Sequence, residues 1–405
     1  MRVVVGVGGG IAAYKVCAVV SALVQRGHEV QVVMTEAATH FVAPLTFAAL
    51  SGRPVAVEAE APVEAGPIGH VALAHWADAL VVAPAPGELL ARLAHGLAHD
   101  MLGLVYLGLT GPRLVAPAME PEMWAHPAIQ RAVATLTADG VTWVGPEFGR
   151  MASGYQGVGR MAEPEAIVEA FEAVTAPKDL RGLHCLITAG PTWEFFDPVR
   201  LLTNPSTGTM GVELAREAVR RGATVDLVHG PRVAVPRLPG LSAWPVVSAR
   251  DMLARCLERL AAGPAVDVVI AAAAVSDFRP AEPLPHKAHK ADVASVWPVE
   301  PNPDVVAEVS RRLGPAAVRV GFAAETDGLE TSARKKLASK GLDFVVANPV
   351  GPDRGFGDAP YQAWWIGPEG PAEALAGDKR SVARAIWDRV RRRWEEKAGT
   401  KLPRQ

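Results

Sequence analysis

A glycine turn near the start of the chain has the spacing of a phosphate-binding loop. Gly8-x-Gly10-x-x-Ala13 follows a β-branched run and precedes a stretch with helical periodicity. Glycine at these positions lets backbone N–H groups and a helix N-terminus approach a phosphate. The pattern predicts a bound nucleotide, but its spacing does not separate a nicotinamide dinucleotide from a flavin mononucleotide.

A second phosphate cradle is predicted farther along the chain. Gly190 follows another strand-like run, and Ser206-x-Gly208 precedes another helical one. The next buried run, 271–274, consists of four alanines and leads to Asp277. Small residues at the carboxyl end of a strand let a ring or backbone come close, and ligands of open α/β sheets bind at that edge.

Two lysines could contribute positive charge to this second site. Lys336 and Lys340 are spaced i and i+4, so they project from one face of a predicted helix. Together they could grip a polyphosphate. Paired surface lysines are common, however, so their spacing alone is a weak signal.

Alternating strand-like and helical runs predict the elements that hold these residues. Strand-like runs at 79–83 and 113–116 follow helical stretches, which is typical of a parallel sheet covered by helices on both faces. The order of strand, glycine turn and helix restarts with a strand at 185–188 and a helix at 211–221. The fold class is therefore α/β with two Rossmann-like domains. We predict a first domain over residues 1–176, a linker over 177–182, a second domain over 183–396 and a frayed tail over 397–405.

Composition excludes several classes of function. A chain of 405 residues exceeds the usual size of one hydrophobic core. Its net charge of −2 gives no field suited to nucleic acid or an anionic membrane. Three dispersed cysteines favour neither a disulfide framework nor a zinc site. No signal peptide opens the chain and no apolar run reaches the roughly 20 residues of a membrane span, so we expect a cytoplasmic protein that acts on small molecules.

The first domain resembles the flavin-dependent cysteine decarboxylases. The similarity rests on segments 9–15, 33–41, 69–78, 117–124 and 154–161, which together cover nearly the whole domain. It implies a flavodoxin-like fold, FMN as cofactor and His70 as a base, a role that suits imidazole near neutral pH. It also implies that Glu120 and Met123 contact substrate. The implied FMN-binding residues are Gly9, Gly10, Ile11, Thr35, Ala118 and Met119.

Three positions depart from that family. Its catalytic cysteine, which protonates an enethiolate, falls at Ser153, and a serine hydroxyl is a far weaker acid than a thiol of pKa about 8.5. Two family asparagines fall at Glu120 and Glu88. A carboxylate at Glu120 repels the substrate carboxylate unless it is protonated. These departures predict an altered or lost decarboxylase activity.

The second domain resembles phosphopantothenate–cysteine ligases over a long segment from Thr188 to Gly211. The resemblance implies CTP as co-substrate and Mg²⁺ as cofactor, because activation of a carboxylate places charge on phosphate that cations stabilise. It implies Lys287 for that activation, and Asn204 with Arg200 for attack by cysteine on the acyl-cytidylate. The implied CTP-binding residues are Gly190, Ser206, Gly208, Ala273, Asp277, Lys287, Asn302, Pro303, Asp304, Val305, Phe322, Lys336 and Lys340.

The whole chain resembles the bifunctional proteins of coenzyme A biosynthesis, in which a phosphopantothenoylcysteine decarboxylase is joined to the ligase. That family implies a homo-oligomer with trimers of flavin domains and dimers of ligase domains. Two alternatives stay open at this point. One is a ligase with a degenerate flavin domain, and the other is a nicotinamide-dependent oxidoreductase. The metal ligands are not predicted.

Overall fold

The computed structural model describes residues 1–58, 69–289, 296–351 and 361–399. The chain forms two compact units, Met1–Ala176 and Pro177–Gln405. Within the described residues, no helix combines the length and the apolar character needed to cross a bilayer. The cytoplasmic location stays a prediction.

The first unit is built on a parallel sheet. Its strands are β1 (Arg2–Val7), β2 (Glu29–Met34), β3 (Ala79–Ala85), β4 (Arg113–Pro117), β5 (Thr142–Trp143), β6 (Glu147–Arg150) and β7 (Gln156–Arg160). Its helices are α1 (Ala13–Gln25), α2 (Glu36–Thr39), α3 (Pro44–Ser51), α4 (Gly69–Trp76), α5 (Gly87–Ala94), α6 (Met101–Gly108), α7 (Pro121–Ala125), α8 (Pro127–Ala138) and α9 (Pro164–Thr175). Strands β6 and β7 form a separate antiparallel hairpin.

The five parallel strands of this unit have the order β2-β1-β3-β4-β5. This is the flavodoxin-like order, which confirms the predicted fold. The chain builds the sheet outward on one side of β1 and then on the other, so the strand order switches between β1 and β3. Strand β1 alternates its side chains between two cores, with Val3 and Val5 in one and Val4 in the other. Because helices cover both faces, a run of valines is buried without polar alternation.

The second unit carries a larger sheet. Its strands are β8 (His184–Ala189), β9 (Glu194–Phe195), β10 (Leu201–Leu202), β11 (Thr224–His229), β12 (Leu241–Pro245), β13 (Val268–Ala271), β14 (Phe278–Pro280), β15 (Val299–Pro301), β16 (Val318–Glu325), β17 (Phe344–Pro349), β18 (Tyr361–Ile366) and β19 (Glu373–Gly377). Its helices are α10 (Thr209–Arg220), α11 (Ala249–Ala262), α12 (Val305–Ser310), α13 (Leu329–Ser339) and α14 (Lys379–Ala398). The sheet order is β12-β11-β8-β13-β16-β17-β18-β19.

Six neighbouring strands of this sheet are parallel, and β18 and β19 add an antiparallel edge. The prediction of a mainly parallel sheet is therefore confirmed. The order reverses between β8 and β13, so a crevice is expected at their carboxyl ends.

Helix α14 closes the second unit. The Trp387 side chain is fully buried, and its indole N–H donates to the carbonyl of Leu214 in α10 at 2.8 Å. The buried guanidinium of Arg221 pairs with Asp179, near the start of the unit, and with Asp388 of α14, each at 2.7 Å. These contacts fix the last helix to the first part of the unit.

The predicted frayed tail begins too early. Lys397 lies in α14, and its ammonium group donates to Asp343 at 2.9 Å and to the carbonyl of Ala317 at 2.7 Å. The helix continues to Ala398 because these contacts hold its last turn. The rest of the predicted tail, from residue 400, lies outside the described residues.

Candidate functional site

A cavity of about 710 Å³ opens at the carboxyl ends of the parallel strands in the second unit, where the strand order reverses. Most of the residues predicted to bind CTP line it. They are Ser206, Gly208, Ala273, Asp277, Asn302, Pro303, Asp304, Val305, Phe322, Lys336 and Lys340. The predicted catalytic residue Asn204 lines the same cavity.

The two predicted cradle glycines pack against each other. Gly190 and Gly208 have φ angles of +81° and +75°, a region that favours glycine. A Cβ on Gly208 would lie 3.0 Å from the Cα of Gly190 and 2.8 Å from Val233 Cγ2. Gly208 is also the N-cap residue of α10, whose first N–H groups point out of the helix end. Gly208 therefore lines the cavity, whereas Gly190 packs against Gly208 and does not line it.

The orientation of Asn204 is fixed by its amide nitrogen. Asn204 Nδ2 donates to the carbonyls of Ala274 at 3.1 Å and Val275 at 3.2 Å. Both amide hydrogens are thereby used, because a side-chain amide has two donors. Its Oδ1 is left as the group that can accept a hydrogen bond from a ligand.

The two lysines of α13 differ in their surroundings. The Lys336 ammonium donates to the carbonyl of Phe322, and burial, assisted by the charge of Lys340, lowers its pKa. Lys340 pairs with Asp304 at 2.9 Å. Desolvation opposes ionisation of Asp304, but the Ala307 N–H and the Lys340 ammonium outweigh it and lower the pKa of Asp304. Both cations face the cavity.

Asn302 holds two loops together at the cavity. Its Nδ2 donates to the carbonyl of Ser276 at 2.9 Å, and its backbone N–H donates to the carbonyl of Asp277 at 2.8 Å. Its Oδ1 accepts from Arg279 at 3.2 Å. Asp304, two residues on, accepts from the Ala307 N–H at 3.0 Å as the N-cap of α12. The Asn-Pro-Asp segment thus shapes the cavity wall.

Lys287 and Arg200 do not line this cavity. Lys287 is exposed on the connection after β14. Arg200 pairs with Asp197 at 2.5 Å and donates to the carbonyl of Ala288 at 3.3 Å, which anchors the segment that carries Lys287. Desolvation opposes ionisation of Asp197, but N–H groups of Val199, Arg200 and Ala288 outweigh it and lower its pKa to about 2.

Within the described residues, no three His, Cys, Asp or Glu side chains are grouped so as to hold a metal ion. Mg²⁺ commonly takes only one or two protein carboxylates together with substrate phosphates. Asp277 and Glu325 both line the cavity and fit that donor set.

The first unit has a cavity of about 810 Å³ beside its own point of strand reversal. Of the predicted FMN-binding residues, Gly9 and Thr35 line it. Its other lining residues are Glu36, Ala37, Val57, Glu58, Pro86, Glu88, Leu89, Arg92, His99 and Asp100. Thr35 Oγ1 accepts from the Ala38 N–H at 3.2 Å and caps the short helix α2.

The glycine turn of this unit fits an anion. A Cβ on Gly9 would lie 2.5 Å from the Cβ of Ala37, so the turn packs tightly on one side. At Gly10 the nearest atom to such a Cβ is 4.0 Å away, so the other side is open. Within the described part of the chain, the N–H groups of Gly9, Gly10 and Ile11 have no acceptor. They are available to a phosphate.

The remaining first-unit predictions fall outside the cavity lining. Ile11 is 60% exposed, and Ala118 and Met119 follow β4 and pack partly into the two cores. His70 is partly exposed in the first turn of α4. Met123 is half-exposed in α7. Among the described residues, these five therefore do not line the cavity that Gly9 and Thr35 share.

The three departures from the decarboxylase pattern have local partners. Glu88 pairs with Arg92 at 2.6 Å, and Arg92 also pairs with Asp100 at 2.9 Å. The hydroxyl of Ser153 donates to Oε2 of Glu120 at 2.9 Å. Arg92 thus neutralises Glu88, and the other two substituted residues contact each other.

Comparison with known proteins gives matches over both units. Residues 1–176 match the family model described as Flavoprotein, and residues 180–393 match the model described as DNA/pantothenate metabolism flavoprotein C-terminal domain. The coenzyme A biosynthesis bifunctional protein CoaBC of Bacillus subtilis (strain 168) is 44% identical over 353 residues, 86% of each chain. CoaBC of Escherichia coli (strain K12) is 38% identical over 402 residues, 98% of each chain. The chain belongs to the CoaBC family.

A crystal structure of the C-terminal domain of a CoaBC protein aligns with 54% of this chain and 99% of its own length. Its sequence identity is 34% and its TM-score is 0.45. Membership of the CoaBC family, which rests on the sequence matches, confirms the predicted resemblance. The sequence matches do not favour the two alternatives left open by the sequence, a ligase with a degenerate flavin domain and a nicotinamide-dependent oxidoreductase.

Several residues of the CoaBC-family cavity in the second unit were not predicted. Tyr361 and Lys379 line it from the antiparallel edge and from the start of α14. Asp378 before a helical run is a recognisable N-cap signal. No pattern in the sequence, however, predicts that the start of α14 lies near the carboxyl end of β17. In the first unit, Arg92 and Asp100 were missed for the same reason.

Proposed function

We propose that the second unit ligates 4′-phosphopantothenate to cysteine at the expense of CTP, and that the first unit decarboxylates the product to 4′-phosphopantetheine with FMN. The observation that carries the proposal is the cavity at the β8–β13 reversal, where Asn204, Gly208 and Asp277 meet two lysines. Relatives named as coenzyme A biosynthesis bifunctional proteins support it.

In the first half-reaction the pantothenate carboxylate attacks the α-phosphate of CTP, and pyrophosphate leaves. Lys336 and Lys340 neutralise charge on the phosphates, and the N–H groups at the start of α10 add donors. Mg²⁺, held by Asp277 or Glu325 with the phosphates, supplies further positive charge when bound. Lys287, which does not line the cavity in this structure, would add a further cation from the exposed segment that Arg200 anchors.

In the second half-reaction the amine of cysteine attacks the acyl-cytidylate carbonyl, and CMP leaves. Asn204 presents Oδ1 to the amine, because both its N–H donors are used by Ala274 and Val275. An acceptor at this position orients the amine lone pair toward the carbonyl and holds one of its hydrogens. This function differs from donation to an oxyanion.

In the first unit, the N–H groups of Gly9, Gly10 and Ile11 would bind the FMN phosphate, and Thr35 would lie beside it. FMN, when bound, would supply the reversible hydride transfer that this chemistry requires. His70 acts as a base on the substrate. Glu120 and Met123 contact the part of the substrate that carries the carboxylate.

Mass spectrometry of the products tests the ligase proposal. The parent protein receives phosphopantothenate, cysteine, Mg²⁺ and each of the four common nucleoside triphosphates in turn. We expect phosphopantothenoylcysteine, pyrophosphate and CMP with CTP. Absence of pyrophosphate with every triphosphate contradicts the proposal.

Lys287→Ala separates activation from binding. We expect the variant to release no pyrophosphate, because the attacked phosphate loses a cation in the transition state. Lys335→Ala, which removes an exposed lysine beside Lys336, is the matched control and should release pyrophosphate at the parent's rate. Equal release by Lys287→Ala and the parent refutes the role of Lys287.

A further inference from the structure

The contact between Ser153 and Glu120 is built by the backbone around it. The β6–β7 hairpin, whose turn carries Ser153, lies against the chain that leaves β4. The Met119 N–H donates to the carbonyl of Gly159 at 3.0 Å. A Cβ on Gly159 would lie 2.1 Å from the Met119 carbonyl oxygen, so only glycine allows this approach. The hairpin therefore sets its turn beside Glu120.

Gly157, on the same strand as Gly159, allows a second close contact between the hairpin and the start of α7. A Cβ on Gly157 would lie 2.5 Å from Cγ of Pro121, the first residue of α7. Glu120 is the N-cap residue of that helix, in extended conformation, and its side chain does not cap the helix. Its carboxyl group is thus free of a helix-capping role and is held by the Ser153 hydroxyl at 2.9 Å.

Reduction of the enethiolate left after decarboxylation needs a proton donor at the carbon that lost carbon dioxide. Ser153 is a poor donor, because an alcohol is a very weak acid. A carboxylic acid is a far stronger one. The Ser153 hydroxyl holds Oε2 of Glu120, and Oε1, which has no hydrogen-bond partner among the described residues, is available to a ligand.

We propose that Glu120 is the acid that protonates the enethiolate left after decarboxylation, and that Ser153 positions it. This inference rests on the proposed decarboxylase function of the first unit. In the step, the O–H bond of Glu120 breaks and a C–H bond forms at the carbon that lost carbon dioxide. The electron pair of the carbon–carbon double bond makes the new bond, and a C=S bond replaces C–S⁻. Hydride from the reduced flavin then gives the thiolate, and Glu120 regains a proton from water.

Glu120→Gln tests the acid directly in the full-length, FMN-loaded protein. Single-turnover reactions with phosphopantothenoylcysteine are followed by carbon dioxide release, by mass spectrometry of the thiol and enethiol products, and by the visible flavin spectrum. We expect carbon dioxide to be released, the enethiol to accumulate and the flavin to stay reduced. The rate of thiol formation should fall by about 10²–10⁴-fold. Glu122→Gln, an exposed carboxylate in the first turn of α7, is the matched control and should behave like the parent.

Substitutions of Ser153 test the positioning role. Ser153→Ala should lower the rate of thiol formation by about tenfold, the loss expected for one hydrogen bond to a carboxyl group. Ser153→Thr keeps the hydroxyl and should restore most of the rate. The double variant Glu120→Gln with Ser153→Cys should form thiol again, because a thiol replaces the missing acid.

The outcomes separate the inference from the function on which it rests. If the parent releases no carbon dioxide and forms no enethiol, the proposed decarboxylase function itself fails. If the parent forms the thiol and Glu120→Gln forms it at the same rate without enethiol, Glu120 is not the acid and the inference is overturned. A Ser153→Thr variant as slow as Ser153→Ala overturns the positioning role.

Discussion

The cavities of the two units occupy equivalent points of their sheets, yet they gather the predicted residues to different extents. In the second unit, predicted residues from five separate segments meet at the β8–β13 reversal. In the first unit, only Gly9 and Thr35 of the predicted FMN residues line the cavity at the β1–β3 reversal. The difference lies in which elements carry the chemistry.

Residues placed directly after parallel strands converge, because the carboxyl ends of those strands share one edge of a sheet. Asp277 follows β13, and Phe322 lies near the end of β16. By contrast, Ser153 lies in a hairpin outside the sheet, and Met123 lies in a short helix. A site that uses residues outside the sheet depends on the contacts that hold those segments, such as the close packing of Gly157 against Pro121 and of Gly159 against Met119. It should tolerate fewer substitutions in those contacts.

The substitution Asn204→Ala, in the cavity of the second unit, has the largest expected effect on activity. The variant loses Oδ1 and both anchoring hydrogen bonds, so the amine is no longer oriented and amide formation should fall by about 10²-fold. Pyrophosphate release should continue in the first turnover, because the nucleotide-binding residues are unchanged, and the acyl-cytidylate should accumulate. Quenched-flow analysis of both products measures this. Parallel loss of pyrophosphate and amide would show that Asn204 acts before cysteine binds.

Gly159→Ala tests the dependence of the first unit on the hairpin contact. The new Cβ meets a backbone oxygen, so we expect the free energy of unfolding of this unit to fall by about 1–3 kcal/mol. Denaturant unfolding monitored by flavin fluorescence measures it. Gly149→Ala on β6 is the control, because its Cβ meets only the side chain of Arg160, which can move. Equal losses in the two variants contradict the argument.

Asp197→Asn has the smallest expected effect and concerns acid stability of the second unit. The pKa of Asp197 is about 2 in the folded protein, below the roughly 3.9 of an unperturbed aspartate. The ionised group therefore contributes stability above about pH 4, and this contribution is lost as the pH falls through about 2. The parent should lose unfolding free energy more steeply than the variant over that range. Urea titrations at several pH values compare the slopes, and identical slopes contradict the assignment.

The sequence predicted the sheet-edge residues well because periodicity and glycine turns locate strand ends. The helix predicted from residue 211 begins at Thr209, because Gly208 adopts a left-handed conformation and serves as its N-cap. The strand predicted at 185–188 extends one residue farther at each end, from His184 to Ala189. Such small differences leave the turn residues between the strand and the helix, where the spacing predicted them.

Positions set by long-range contacts were not predictable. Lys287, predicted to act on the phosphates, lies outside the cavity lining, on a segment held by Arg200 and by a bond from the Leu284 N–H to the Phe196 carbonyl. Phe196 also stacks edge-on against Trp297 at 4.7 Å. No periodicity encodes these contacts. The pairing of Ser153 with Glu120 escaped for the same reason, since the two residues are 33 positions apart.

Arg221 has a consequence for how the second unit could be rearranged. Because its guanidinium pairs with both Asp179 and Asp388, the beginning and the last helix of this unit lie side by side. Arg391 of the same helix also pairs with Asp179 at 3.3 Å, so a short peptide could join the two segments. The second unit thus meets one geometric requirement of circular permutation, a chain start that lies beside its last helix.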